Sequence, residues 1–372
     1  MPTVIATPNR SSGDAISVIT YLLMLERKTY DKYFKPKKSL GQNFLINQGI
    51  VQKILLAAEL KNSDNILEVG PGKGVLTFEI AERVKCLVAV EKDNGLYAEL
   101  ESRERKTKLS FRPRSHRVEK SVNCHLVDSS TLLRNDRGTL PDSSIPQKTE
   151  QVPLRNDMGR LSMPLPTPLK LCRTSRVTQP GDNIKFINDD ILKFDLAELK
   201  EVFNGEPYKI VANLPYNITS RFLRNFLEAE YQPKEMLLMV QREVAERVCA
   251  KAGEMSTLSV SVQFFCEPKI LFKVSPGSFS PAPKVDSAVI KFSNIRNNKF
   301  EVDQEKFFSI VKAGFSARRK QLRNNLKKLF GKDVDQVIIS AGLVPEQRPQ
   351  ELSVDDWVSI CHSDVATCSE SH

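Results

Sequence analysis

Short, almost wholly apolar segments recur along the chain, at Asn65 to Val69, Cys86 to Val90, Lys185 to Ile187, Lys209 to Ala212 and Met236 to Val240. Runs of this length without polar alternation read as strands covered on both faces. Between them lie stretches with helical spacing, near Leu76 to Arg83, Gly95 to Glu101, Ser220 to Glu228 and Arg242 to Ala250. Strand and helix in alternation predict an α/β fold built on a doubly wound parallel sheet. From about residue 300 the strand-like runs stop and helical periodicity takes over, with a capping-box pattern at Ser353-Val-Asp-Asp356 ahead of Trp357. A small all-helical C-terminal domain is expected there.

Charge changes this picture in one place. The 372 residues carry 55 Lys and Arg against 45 Asp and Glu, a net +10, yet residues 102–182 alone hold 16 basic and 8 acidic residues, so +8 of the excess sits there. That stretch also holds 8 of the 21 prolines and a single aromatic residue, Phe111. Such a composition buries too little apolar surface to offset the entropy of ordering, and it predicts a disordered insertion. The expected organisation is a poorly ordered extension over 1–34, an α/β domain over 35–296 interrupted at 102–182, a helical domain over 297–361 and a tail over 362–372.

Other classes are excluded or disfavoured. No run of 18 apolar residues occurs; Ala15 to Leu25 is 11 residues long and interrupted by Ser17 and Thr20, too short to span a bilayer. Only Arg10 precedes it as a basic residue, and no small-residue cleavage site follows, so a cytoplasmic protein is expected. Seven cysteines lie far apart and never form C-x-x-C, which predicts free thiols in a reducing compartment. Cys361, His362, Cys368 and His372 lack a recognised zinc spacing, and no metal is expected.

Ile66-Leu-Glu-Val-Gly-Pro-Gly-Lys-Gly74 is a buried strand running into a glycine-rich turn and then a helix. Bare backbone at Gly70 and Gly72 lets a ligand approach the carboxyl edge of the sheet, although a tight turn alone would also ask for these glycines. The next strand ends in Glu91, 21 residues after Gly70. That spacing suits a carboxylate accepting hydrogen bonds from ribose hydroxyls. A dinucleotide fold would place its third glycine at Val75, so the spacing favours a nucleoside cofactor without a pyrophosphate, such as S-adenosylmethionine.

Asn213-Leu-Pro-Tyr216 follows the strand Lys209 to Ala212 and so projects at the same edge. An adenine N6 amine is a poor nucleophile, its lone pair delocalised into the ring. Acceptors at the Asn213 side chain and the Leu214 carbonyl would favour the pyramidal nitrogen that attacks a sulfonium methyl. Tyr216 would stack on the base once it has left its helix.

With these motifs in place the chain resembles the bacterial small-subunit ribosomal RNA adenine N6,N6-dimethyltransferase family. The resemblance is carried by Lys37-Lys-Ser-Leu-Gly-Gln-Asn-Phe-Leu45, the loop Glu68 to Gly74, Asn213-Leu-Pro-Tyr-Asn-Ile218 and Phe279-Ser-Pro-Ala-Pro-Lys-Val-Asp-Ser-Ala-Val289, in the family's order. It implies a Rossmann-like S-adenosylmethionine-dependent methyltransferase domain with a small all-helical C-terminal domain. The expected substrate is two adjacent adenines in a hairpin loop near the 3′ end of small-subunit rRNA, within the immature small ribosomal subunit, and the expected state is a monomer. Cofactor contacts are implied at Asn43, Leu45, Gly70, Glu91, Asp190 and Asn213, with Asp189 beside Asp190 leaving a one-residue ambiguity. Phe279 resembles the aromatic that closes the other face of the target base.

For RNA contact the sequence offers a basic helix, Lys312 to Lys328, without an acidic residue. Phe315, Leu322, Leu326 and Leu329 would form its buried stripe and leave Arg319, Arg323 and Lys327 on an exposed line. Two other readings stay open: a large-subunit rRNA adenine methyltransferase of the macrolide-resistance type, and a ribosome-assembly factor acting mainly by binding.

Overall fold

The computed structural model describes residues 36–37, 40–110, 183–296 and 300–369. The predicted insertion, from residue 111 onward, and the extension over 1–34 lie outside the described residues. Nine strands occur among the described residues: β1 (Phe44–Leu45), β2 (Asn65–Val69), β3 (Cys86–Glu91), β4 (Ile184–Asn188), β5 (Tyr208–Asn213), β6 (Glu235–Gln241), β7 (Glu267–Val274), β8 (Phe279–Ser280) and β9 (Ser287–Ser293). Seven form one sheet in the order β4-β3-β2-β5-β6-β9-β7. β4 through β6 run parallel, whereas β9 is antiparallel to β6 and β7 is antiparallel to β9. The sheet is therefore mixed, its last two strands being a hairpin added to a parallel core. β1 and β8 pair separately, with Leu45 opposite Phe279.

Why these segments form strands is visible in their burial. Every residue of β2 and β3 is buried, so both faces must be apolar. Helices cover those faces. α1 (Gln48–Ala58) starts at Asn47, whose side chain accepts from the Ile50 N–H, and buries Val51, Ile54, Leu55 and Ala58 along one stripe. α2 (Thr77–Ala81) joins it on the same apolar cluster. α4 (Leu196–Val202), α5 (Thr219–Leu227), α6 (Arg242–Val248) and α7 (Thr257–Phe265) pack into the other cluster. No helix among the described residues is long and apolar enough to cross a membrane.

α3 (Asn94–Ser110) runs well past the Glu101 boundary that periodicity suggested. Beyond Glu101 the apolar spacing disappears, but Arg, Lys and Glu are good helix formers and no proline intervenes before Pro113. The first nine residues of the predicted insertion thus belong to a helix.

After β9 come α8 (Gln304–Gly314), α9 (Leu322–Phe330), α10 (Val334–Ser340) and α11 (Val354–Ser369). They share the larger apolar cluster with the sheet: Phe307 stacks on Phe264 of α7 with ring centroids 4.3 Å apart. The capping box at Ser353 forms, its hydroxyl accepting from the Asp356 N–H at 3.2 Å while the Asp356 carboxylate accepts from the Ser353 N–H at 2.7 Å.

The continuous helix expected over Lys312 to Lys328 is instead two helices separated by a turn, Phe315 to Gln321. The cause is tertiary. The buried Asn325 side chain donates to the carbonyls of Gly314 at 2.6 Å and Ala317 at 3.0 Å, satisfying the end of α8. Gly314 itself lies under Trp357, where an added Cβ would come within 2.2 Å of the indole. Leu322 and Leu326 are buried as expected, but Leu329 is exposed.

Candidate active site

β2 and β5 are neighbours at the centre of the sheet, and the chain leaves them toward opposite sides. Their carboxyl ends therefore open a crevice between the two connections. The glycine loop after β2 and the Asn213 loop after β5 both line the resulting cavity.

Three glycines shape the loop for different reasons. Gly70 has φ of +63°, and an added Cβ would meet nothing within 4 Å, so the space above it belongs to the cavity. Gly72 has φ of +57° and faces the Phe44 ring, 3.1 Å from where its Cβ would be. Gly74, with φ of +71°, is packed against Leu100 and Phe78, each 2.8 Å from an added Cβ.

Two carboxyl groups stand at the carboxyl ends of the adjacent strands, Glu91 as the last residue of β3 and Glu68 one residue before the end of β2. Glu91 accepts from the Gly72 N–H at 3.0 Å through Oε2 and from the Asp93 N–H at 2.8 Å through Oε1. Burial raises its carboxyl above the usual range, those backbone bonds oppose the rise, and the nearby Asp93 charge adds to it. Each oxygen keeps a second acceptor position for a ligand hydroxyl. Glu68, only 2% exposed, also lines the cavity. Burial pushes its carboxyl up to about 8; the Thr77 hydroxyl lies near enough to favour the charged form, and Glu91 opposes it. Neither Glu68 Oε2 nor Thr77 Oγ1 completes a hydrogen bond of ordinary geometry.

Asp189 and Asp190 both line the cavity. Asp190 accepts from the Leu192 N–H at 3.1 Å through Oδ1 and from Lys92 at 2.9 Å through Oδ2. Burial would raise its carboxyl, but these bonds outweigh it and hold the group below the usual range.

Across the crevice, the Asn213 side-chain amide donates to the Asn43 carbonyl at 3.3 Å. With Nδ2 so engaged, Oδ1 remains as the acceptor of that side chain. Leu214 is positioned by its N–H, which donates to Met239 O of β6 at 3.1 Å. The half-buried Tyr216 has its hydroxyl 2.8 Å from Ser287 Oγ on β9. Burial raises the tyrosine pKa, against the effect of that bond.

The structure thus brings Asn43, Leu45, Gly70, Gly72, Glu91, Asp190, Asn213, Leu214 and Tyr216 together around one cavity. It does not bring Phe279 into the wall: this ring is 4% exposed and packs in the core beside Leu45, its partner in the β1 and β8 pair. Arg319, Arg323 and Lys327 lie outside the lining. The expected line along one helix is replaced by Arg319 in the turn before α9 and Arg323 and Lys327 on α9. Arg323 is also compensated, through ion pairs to Asp335 at 3.3 Å and to Glu346. Sequence reasoning missed Asp93, Gln42 and Ser287. Asp93 carried a signal, standing two residues past Glu91 at a helix start, but it pointed only to a cap.

A family model for ribosomal RNA adenine dimethylase matches residues 33–111 and 169–363. The chain belongs to the ribosomal RNA adenine dimethylase family. Relatives of this dimethylase include the Ribosomal RNA small subunit methyltransferase A of Dehalococcoides mccartyi, 35% identical over 88% of each chain. The protein of the same name from Clostridium botulinum is 31% identical over 92% of this chain and all of its own. Two solved structures share the fold. A dimethyladenosine transferase from Plasmodium falciparum covers 87% of this chain and 98% of its own, at TM-score 0.57 and 20% identity. The 23S rRNA methyltransferase ErmE covers 86% and 99%, at 0.55 and 21%. Both show a Rossmann-like fold for the dimethylase.

The dimethylase is an enzyme that uses S-adenosylmethionine as methyl donor, and its cavity fits that group. Gly70 leaves open space beside bare backbone, and both Glu91 oxygens keep an acceptor position for a ribose hydroxyl.

Proposed function

We propose that this dimethylase methylates N6 of two adjacent adenines in the hairpin loop near the 3′ end of small-subunit rRNA, giving N6,N6-dimethyladenosine. Its substrate is the immature small ribosomal subunit, and it works as a cytoplasmic monomer. The observation that carries the reading is Asn213: its amide nitrogen is held by Asn43, which leaves its oxygen as an acceptor at the edge of a cavity suited to the donor.

When bound, S-adenosylmethionine supplies an electrophilic methyl group on a sulfonium. Glu91 would hold the ribose, Asp190 the adenine end, and the backbone at Gly70 and Gly72, with Asn43 and Leu45, the remainder. Asn213 Oδ1 and the Leu214 carbonyl accept from the N6 amine of the target base, drawing its lone pair out of conjugation as the nitrogen becomes pyramidal. No strong base is needed, because the amine acidifies once alkylated. The Tyr216 ring stacks on the flipped base, and its bond to Ser287 fixes the plane. Phe279 acts through Leu45, bracing the wall.

The test is transfer of labelled methyl groups to unmethylated small subunits, to naked small-subunit rRNA and to large-subunit rRNA, with the modified base mapped. Asn213→Ala should slow single-turnover transfer by about 100-fold or more while subunit affinity persists. An assembly factor acting by binding alone would be indifferent to that change. Label confined to large-subunit RNA would overturn the substrate assignment, and near-parental transfer by Asn213→Ala the mechanism.

A further inference from the structure

Asp93 is 2% exposed and uses both carboxylate oxygens. Oδ1 accepts from the N–H groups of Gly95 at 2.9 Å and Leu96 at 3.4 Å, which caps α3. Oδ2 accepts from the Gln42 side-chain amide at 3.0 Å and from Lys37 Nζ at 2.9 Å. Gln42 closes the ring by accepting the Lys37 N–H at 2.7 Å through Oε1. A cap needs only one oxygen; the other holds a separate segment of chain.

That segment reaches the opposite side of the cavity. Leu40 to Leu45 lines the wall. The Asn43 carbonyl takes the Asn213 amide, Leu45 pairs with Phe279, and Gly41, with φ of +64°, packs near Pro215 and Asn217. One strand of backbone therefore spans from the residue beside the ribose carboxylate to the loop that presents the target acceptors.

We propose that Asp93 is a positioning residue that clamps this strap along the cofactor cavity, so that affinity for S-adenosylmethionine depends on a carboxylate that does not touch it. The inference rests on the cavity being the cofactor site. Burial would raise the Asp93 carboxyl, but the bonds from Lys37, Gln42 and the two amides outweigh it and hold it below the usual range, so the clamp is charged at neutral pH. Most of its hold comes from Gln42, because Lys37 is more than half exposed and its pair is screened by solvent.

Asp93→Asn separates the two roles, since asparagine caps a helix as well as aspartate does. The experiment is calorimetric titration of the full-length protein with S-adenosylmethionine and with S-adenosylhomocysteine, together with amide hydrogen exchange. Asp93→Asn should weaken both ligands about tenfold, the loss of one charge-assisted hydrogen bond. It should speed exchange at Leu40 to Leu45 and leave α3 unchanged. Lys37→Gln with Gln42→Ala, which keeps the cap intact, should reproduce the loss and combine with Asp93→Asn less than additively; this pair carries the test if Asp93→Asn does not fold. Parental affinity in both variants, or weakening with faster exchange in α3 and full additivity, would overturn the clamp. Glu91→Ala is the control: affinity lost there but kept in the clamp variants rejects the strap alone, whereas affinity kept in all three rejects the cavity as the cofactor site.

Discussion

Glu68 has a carboxyl group with almost nowhere to put a charge. It is buried beside Glu91, lacks a full hydrogen-bond partner at Oε2, and titrates near 8. Because the folded pKa lies above the ordinary value of 4.5, the native state holds a proton that the unfolded chain releases. Stability from this group is fully present below pH 4.5 and lost as pH rises toward 8. Glu68→Gln, neutral at every pH, should flatten denaturant-unfolding stability across that window, removing a slope of up to about 1.4 kcal/mol per pH unit. A parental slope in the variant would place the titrating group elsewhere. Ser287 offers a second test at this scale. It is fully buried, and its hydroxyl meets that of Tyr216. Ser287→Ala should lower kcat/KM for the RNA by about tenfold or less, the worth of one neutral hydrogen bond, and leave cofactor affinity alone. Tyr216→Phe should match it, and the double variant should be no worse than either; additive losses in steady-state kinetics would show that the two hydroxyls act separately.

At the scale of elements, burial decided only part of what the sequence disclosed: part-exposed β4 was legible from its short apolar run, whereas the largely buried β9 was not. β2, β3, β5 and β6 were legible to within a residue at either end, because segments covered on both faces stand out as unbroken apolar runs. β7 was not, since Lys269 and Lys273 interrupt a strand that is largely part-exposed at the sheet edge. The glycine loop, Glu91 and the Asn213 loop were legible because each ends a buried strand; the clamp on Asp93 was not, because its partners lie 51 and 56 positions away. The helix expected over Lys312 to Lys328 failed for a different reason: its break is made by Asn325, a polar residue whose bonds periodicity cannot register. That break changes the expected RNA footprint. Arg319 and Lys327 are exposed, so replacing both with Gln should flatten the salt dependence of RNA affinity by about two phosphate contacts. Arg323→Gln should chiefly cost stability, about 1 kcal/mol from its ion pairs to Asp335 and Glu346, visible as a lower midpoint in urea. A loss of salt dependence in Arg323→Gln equal to that of the other two would return it to the RNA face.

For the molecule as a whole, the ends of the strands sort the chain into a working edge and a quiet one. The cavity stands at the carboxyl ends of β2, β3 and β5. α3 starts at that edge and runs back beside β4, so it finishes near the amino end of an edge strand. Joining Ser110 to Asn183 with a short Gly/Ser linker should therefore keep methyl transfer to small subunits within about twofold of the parent, since surface connections tolerate large changes in length. Collapse of activity in a folded variant would give the intervening residues a part in catalysis. The two ends of the strap lead to the opposite expectation for additions before Lys37. An affinity handle or fluorophore inserted directly before Lys37 would start beside Asp93 and Gln42, and Gln42 lines the cavity. The same handle joined to Ser110 starts from the far end of α3, a helix that packs beside β4. A label for watching this enzyme on its rRNA therefore belongs after Ser110, not directly before Lys37.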